Sequence, residues 1–308
     1  MFMRALAEYA MRGRTQAIIA TVSIASLPLL FVALEVEQAR LMLGLAATVL
    51  MILSAAIVGL VTLRRGTSDG VGLMLWALAP ALIWLVWRDQ ASPMVTLLGT
   101  TALAVVLRRS VSWSQTLSVA TVIAVIFSFL VDSLLPELIT QVDEAAVVLL
   151  EALKKSNPQM SMPLEPEWLR ELLLGAIVAS FLGSSLISLA IARWWQSKLY
   201  NPGGFKAEFH GLRLSPLFAA AGLAVLLLGK TLPFEAARWI PVLITPFVVA
   251  SIGLIHAIVA IKKLSRSWLV AFYSVMIIVG PYLIALLIML AVADSFIDFR
   301  KHLKARRT

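Results

Sequence analysis

The sequence predicts an all-α polytopic transmembrane helical bundle of about 8–10 spans, with one amphipathic extracytoplasmic helix. Three observations lead there. Of the 308 residues, 60% are apolar and only 14% are charged, where soluble domains run near 45–50% and about 25%; with a mean hydropathy of +0.93, most of the chain must have lipid as its solvent. Apolar runs recur along it, at 17–34, 41–63, 71–87, 94–107, 117–135, 172–192, 214–228, 239–261 and 268–293, free of Asp, Glu, Lys and Arg except for Asp132 near the end of the fifth. Finally, the charges between the runs segregate by sign, and the whole reads as a single integral membrane domain over 1–308.

The first run follows MFMRALAEYAMRGRTQ, in which Arg4, Arg12 and Arg14 resemble a signal-peptide start. No small-x-small cleavage pattern precedes Glu35, so the expectation is an uncleaved first transmembrane helix. The run at 94–107 is the shortest. Alternating the loops from an inside start assigns 1–16, 64–70, 108–116, 193–213 and 262–267 to one side, with 14 Lys/Arg against 3 Asp/Glu. The other side receives 35–40, 88–93, 136–171 with Asp132, and 229–238, with 7 Lys/Arg against 12 Asp/Glu. The positive-inside rule then places the N-terminus in the cytoplasm. Nine crossings would leave the basic tail FRKHLKARRT outside, against the same rule. Gly280-Pro281, midway along the last apolar stretch, allows either a hairpin of two short helices or one long tilted helix.

Within 136–171, an extracytoplasmic segment, Leu135, Ile139, Val142, Ala146, Leu149, Leu150 and Leu153 recur at helical spacing, while Asp143, Glu144 and Glu151 carry charge. This predicts an amphipathic helix lying on the membrane surface or acting as a lid. The turn-rich NPQMSMPLEP follows; Met160 and Met162 alone are too few soft ligands for a metal site. Trp87, Trp113, Trp168, Trp194, Trp195, Trp239 and Trp268 fall near span ends, as an interfacial aromatic belt would.

Catalytic chemistry has little to work with. There are no cysteines and three histidines, and no HExxH, GxSxG or GxxxxGK[ST] pattern. The chain is therefore expected not to be an enzyme and to hold no metal or cofactor. The net charge of +9 follows from the positive-inside bias, so a lipid bilayer and not nucleic acid is the expected partner. Trp76 and Trp84, flanking Pro80, together with Ser184 and the intraspan His256, are candidates for contact with a small-molecule ligand. Gly175, Ala179 and Gly183 form a small-xxx-small ladder that predicts close helix packing, with Ser180, Ser184 and Ser188 beside it. The cytoplasmic loop 193–213, RWWQSKLYNPGGFKAEFHGLR, is the candidate docking surface for a membrane or cytoplasmic protein, through Trp194, Trp195, Phe205, Glu208 and His210. Asp294 and Asp298 share a helix face at Mg²⁺-compatible spacing, although carboxylates there more commonly cap a span end beside a residue such as Arg300.

ARWWQ followed by LYNPGGFKAEFHGLRL resembles the signature of the YybS-like predicted bacterial membrane proteins, a family defined by a domain of unknown function. GLIHAIVA and the closing Ala293, Asp294, Phe296, Asp298, Phe299 and Arg300 agree with it, and the likeness is sharpest over 190–305. That family is distantly similar to the substrate-binding subunits of energy-coupling-factor transporters and to MreD-type proteins. The resemblance implies a bacterial inner (cytoplasmic) membrane location and small-molecule binding or transport. Against the transporter analogy, the first span lacks the Ala-xxx-Ala docking pattern of those subunits, and the spans outnumber their usual six. The alternative expectation is a non-catalytic scaffold in a membrane or cell-envelope complex.

Overall fold

The computed structural model describes residues 2–33, 40–156, 165–229, 231 and 236–305. These contain helices and connectors and no strand. In chain order the helices are α1 Phe2–Met11, α2 Arg14–Ala33, α3 Arg40–Arg65, α4 Thr67–Arg88, α5 Ser92–Ser110, α6 Trp113–Leu134 and α7 Pro136–Ser156. They continue with α8 Pro166–Tyr200, α9 Gly204–Gly211, α10 Pro216–Leu228, α11 Ala236–Ile261, α12 Ser267–Ile297 and α13 Phe299–Ala305. The body of every apolar run read from the sequence lies on a helix among the described residues. By length and composition, five described helices (α3, α4, α6, α8 and α11) can cross a membrane, or six if the bent pair α9–α10 forms one span. The sequence-based figure of 8–10 also takes in α2, α5 and α12; within α2 and α12 the described apolar stretches, Arg14–Leu30, Ser267–Gly280 and Tyr282–Ile297, are shorter. The chain is a multi-pass membrane protein.

It divides into two compact units, one comprising Met1–Val119 with Ser180–Phe205, the other Ala120–Ala179 with Lys206–Thr308. In the first, α3 is central: Ala56, Ile57, Val58 and Leu60 have no exposed surface, and α3 packs on α2, α4 and α5. A Cβ on Gly59 would stand 3.0 Å from that of Ala192 and 3.3 Å from Thr100, so glycine lets α8 and α5 approach α3. At the end of α3 the carbonyl of Leu63 accepts hydrogen bonds from Arg108 Nη1 at 2.5 Å and Gln196 Nε2 at 3.2 Å. Arg65 Nη2 donates to the Met11 carbonyl at 2.8 Å, and the Arg64 guanidinium lies 4.2 Å from the Tyr200 ring centre. Cationic side chains thus satisfy carbonyls left over at helix C-termini. One end of this unit gathers the ends of α1, α3, α5 and α8, from the segments that the charge pattern assigned to one side.

Segment 193–213 is not a loop throughout. Arg193–Tyr200 forms the last turns of the 35-residue α8, about 52 Å long at 1.5 Å per residue, longer than a bilayer core. Its charges end the apolar run without ending the helix. The reversal is short: Ser197 Oγ donates to the Asn201 carbonyl at 2.8 Å and accepts the Phe205 N–H at 3.1 Å, and Gly203 takes φ +89°, a conformation open to glycine. α9 begins at once.

In the second unit, α7 matches the expected amphipathic helix, with Val142, Ala146 and Leu150 buried at four-residue spacing. α9 and α10 are bent by 57°; Ser215 caps α10 by accepting the Phe218 N–H at 3.3 Å, with Pro216 in the first turn, a pattern readable in the sequence. α12 continues through Gly280-Pro281 as one helix, where the sequence allowed a hairpin. It packs on α11, where His256 Nε2 and Tyr273 Oη hydrogen-bond at 2.9 Å and Ser251 Oγ donates to the Leu287 carbonyl at 2.5 Å.

The small-residue ladder on α8 separates into two environments. A Cβ on Gly175 would stand 2.1 Å from the carbonyl oxygen of Arg238 on α11, whereas one on Gly183 would meet nothing within 4 Å. Ala179 is half-buried. Gly175→Ala therefore pushes α8 off α11, and a thermal melt in detergent is expected to show a loss of about 1–3 kcal/mol. Gly183→Ala gains helix propensity and is expected to be neutral or stabilising by up to about 1 kcal/mol.

Candidate functional site

The contact at Gly175 brings together two buried charges in the second unit. Arg238, near the start of α11, is 5% exposed, and Glu171, one turn before Gly175, is 7% exposed. Arg238 Nε and Nη2 donate to the two Glu171 oxygens at 2.5 and 3.0 Å. Its Nη1 donates to Asp132 Oδ2 and to the Ser128 carbonyl on α6, both at 2.6 Å. Such fork-to-fork pairing fixes orientation as well as charge. Arg170 extends the network outward, donating from Nη1 to Glu171 Oε1 at 2.7 Å and from Nε to Asp143 Oδ1 on α7 at 2.6 Å. Three carboxylates from α6, α7 and α8 thus face two guanidiniums. Glu171 Oε1 is shared by both arginines, and the outer members of the network, Asp132 and Asp143, have 41% and 51% of their side chains exposed. Asp132 Oδ1 lies 3.5 Å from Arg238 Nη2 and 3.7 Å from Arg170 Nη2. The arrangement can exchange partners without leaving a buried charge bare.

A second charged cluster binds the closing segment of the chain. Arg213 donates to the Asp294 and Ser295 carbonyls at 2.9 and 2.7 Å and to Asp298 Oδ2 at 3.2 Å. Arg300 pairs with the Asp294 carboxylate and donates to the His210 and Leu212 carbonyls at 2.6 Å each. Asp298 holds φ +53° at the end of α12, and its Oδ1 accepts the Lys301 N–H at 3.2 Å as α13 begins. Asp294 and Asp298 are each engaged by an arginine instead of converging on an ion. No group of three or more His, Cys, Asp or Glu side chains suited to a metal occurs among the described residues. Met160 and Met162 lie outside the described residues.

The sequence-predicted ligand residues divide between the units. In the first, Trp76 is 55% exposed while Trp84 is 3% exposed, so the two indoles do not form one stacking surface: eight residues along α4 is more than two turns, and Trp84 has rotated into the core. Ser184 is half-buried, its carbonyl accepting the Ser188 hydroxyl at 2.8 Å. In the second unit, His256 Nε2 hydrogen-bonds Tyr273 Oη at 2.9 Å, and its ring lies 5.7 Å from Phe209 and 6.4 Å from His210. Among the docking candidates, Trp195 is 1% exposed, Trp194 is half-buried, Phe205 stands edge-on to Trp113 at 6.0 Å, and Glu208 and His210 are half-buried. Trp87 and Trp268, both 60% exposed, suit the aromatic belt, while Trp113 and Trp195 are core residues. The chain matches no known family model, curated protein or solved structure.

Sequence reading misses the Arg238 network because Asp132 lies near the end of one apolar run and Glu171 and Arg238 immediately precede others, so hydropathy places all three in loops, although each sits on a helix. The signal was the position of all three in segments assigned to one side. Arg238→Met leaves the buried Glu171 with Arg170 as its remaining partner, and a thermal melt is expected to show a loss of no more than about 3–5 kcal/mol. Adding Glu171→Gln should recover part of it. The exposed Arg170–Asp143 pair, tested by Asp143→Asn, should contribute no more than about 1 kcal/mol, decreasing with salt.

Proposed function

We propose that this chain is a bacterial inner-membrane protein, with its N-terminus in the cytoplasm, that binds a small solute and takes part in its transport without covalent chemistry. The observation that carries this reading is the Arg238–Glu171–Asp132 network, which joins three helices apolar enough to cross a membrane. Ionised groups on such helices are expensive and characteristically mark substrate or ion pathways. A purely mechanical joint is met at lower cost by hydrocarbon packing. α11 supports the reading: Pro241 and Pro246 follow Arg238 by one and two turns, and each removes a backbone donor from the helix ladder. Interrupted helices are a recurrent way of building solute sites. The resemblance to YybS-like proteins points the same way. An assembly role for 193–213 draws less support, because Trp195, Phe205 and His210 are engaged in internal contacts.

The gathering of basic helix ends in the first unit supports the proposed orientation, and the attachment of Arg300 to 210–212 supports a tail on the same side as that segment. With no native cysteine, single substitutions report sidedness cleanly. Glu137→Cys is expected to react with a membrane-impermeant maleimide on intact cells, and Lys206→Cys and Lys301→Cys only after permeabilisation. Reversed labelling would refute the orientation.

Native mass spectrometry of protein gently extracted from its own membrane tests the binding role. The expected result is a retained, non-lipid mass of a few hundred daltons whose occupancy falls in Arg238→Lys. Retention of lipid alone would overturn the proposal.

A further inference from the structure

A separate cavity in the first unit has a different chemistry. It encloses 250 Å³ between α1 and the last turns of α8 and is lined by Met3, Arg4, Ala7, Trp194, Trp195 and Lys198, among others. Its walls are apolar: Ala7 has no exposed surface and Trp195 has 1%. The Trp195 indole nitrogen is buried with no hydrogen-bond partner, so the wall offers no accessible donor there. The polar groups of Arg4 and Lys198 belong to exposed side chains. Arg4 Nε is paired with Glu8 at 2.7 Å, an exposed i,i+4 contact of the kind that contributes little and is readily exchanged. Lys198 makes no ion pair among the described residues.

The surroundings share this polarity. α1 buries Ala7 and Ala10 on one face and exposes Arg4 and Ala5 on the other, the form of a helix lying in a membrane interface. The end of the unit that holds Arg65 against Met11 and Arg64 against Tyr200 adds cationic charge near α1 and near the end of α8. An apolar recess with cations at its mouth, beside an interfacial helix, matches one class of molecule: an amphiphile with an anionic head.

We infer that this cavity seats the head region of one anionic phospholipid, its phosphate at Arg4 and Lys198 and its glycerol-proximal carbons against Trp194 and Ala7. A free inorganic anion gains nothing from the apolar walls, which lack the convergent donors that desolvated phosphate requires. A zwitterionic head brings its own ammonium beside Arg4 and Lys198. The volume accommodates a head region and not a protein segment, while acyl chains extend into the surrounding bilayer.

The test uses full-length, delipidated protein titrated separately with phosphatidylglycerol and phosphatidylcholine and read by native mass spectrometry. Phosphatidylglycerol is expected to bind about tenfold more tightly. The preference should shrink to about twofold in Arg4→Gln/Lys198→Gln and weaken as salt rises, while Lys263→Gln, on the second unit, leaves it unchanged. Because the substituted side chains are exposed, their loss should not disturb folding, which an unchanged thermal melt will verify; Lys198→Arg should retain the preference. Equal binding of the two lipids, an unaltered preference in the double variant, or displacement of bound phosphatidylglycerol by millimolar inorganic phosphate would each overturn the inference, the last by revealing a soluble-anion site.

Discussion

A guanidinium on an apolar helix must find carboxylates or reach water, and Arg238 meets that demand with Glu171 and Asp132. The pairing holds only if α8 and α11 come closer than side chains ordinarily permit. Gly175 provides this: with no Cβ, it accepts the Arg238 carbonyl against its own backbone. Charge and contact then depend on each other. Without the close approach Glu171 would not reach the guanidinium, and without the guanidinium a buried carboxylate would force the helices apart. Asp132 brings α6 into the same joint, and Arg170 carries it outward to Asp143 on α7.

Much of this architecture was legible in the sequence, for a physical reason. A backbone in lipid must satisfy its own hydrogen bonds, so a long apolar run has little choice but to be helical, and all nine runs are. The amphipathic α7 was equally visible because its period is set by one packed face. What hydropathy cannot supply is where a helix stops. Charged residues end an apolar window but are good helix formers, so Arg193–Tyr200 and the three network residues read as connectors. Nor does a small-residue ladder state which of its rungs is used: Gly175 and Gly183 have the same spacing and residue type, and only the neighbouring backbone distinguishes them. Trp84 and Trp195 were ambiguous likewise, since an indole suits an interface, a ligand or a core, and burial alone decides among them.

Two stretches of the sequence, HGLRL and ADSFIDFRK, are joined within the second unit. Arg213, from the first, satisfies carbonyls at the end of α12, and Arg300, from the second, satisfies carbonyls at the end of α9. Each stretch supplies the cation that the other's helix C-terminus needs. Asp294 and Asp298 hold those cations in place. The short α13 is started by the Asp298 side chain, so the tail's direction is set by the same residue that closes α12.

Within the second unit, then, α11 is fixed at both ends and weakest between them. Near its start, Arg238 is held by α6 and α8. Near its end, Gly253 lies close against the Phe209 carbonyl, and His256 is bonded to Tyr273 and in ring contact with Phe209. Between these anchors stand Pro241 and Pro246, which remove the ladder hydrogen bonds to the Ala237 and Val242 carbonyls; Thr245 Oγ1 donates to the Pro241 carbonyl at 3.2 Å. A helix anchored by charge at one end and by ring contacts at the other concentrates any change in shape at its prolines.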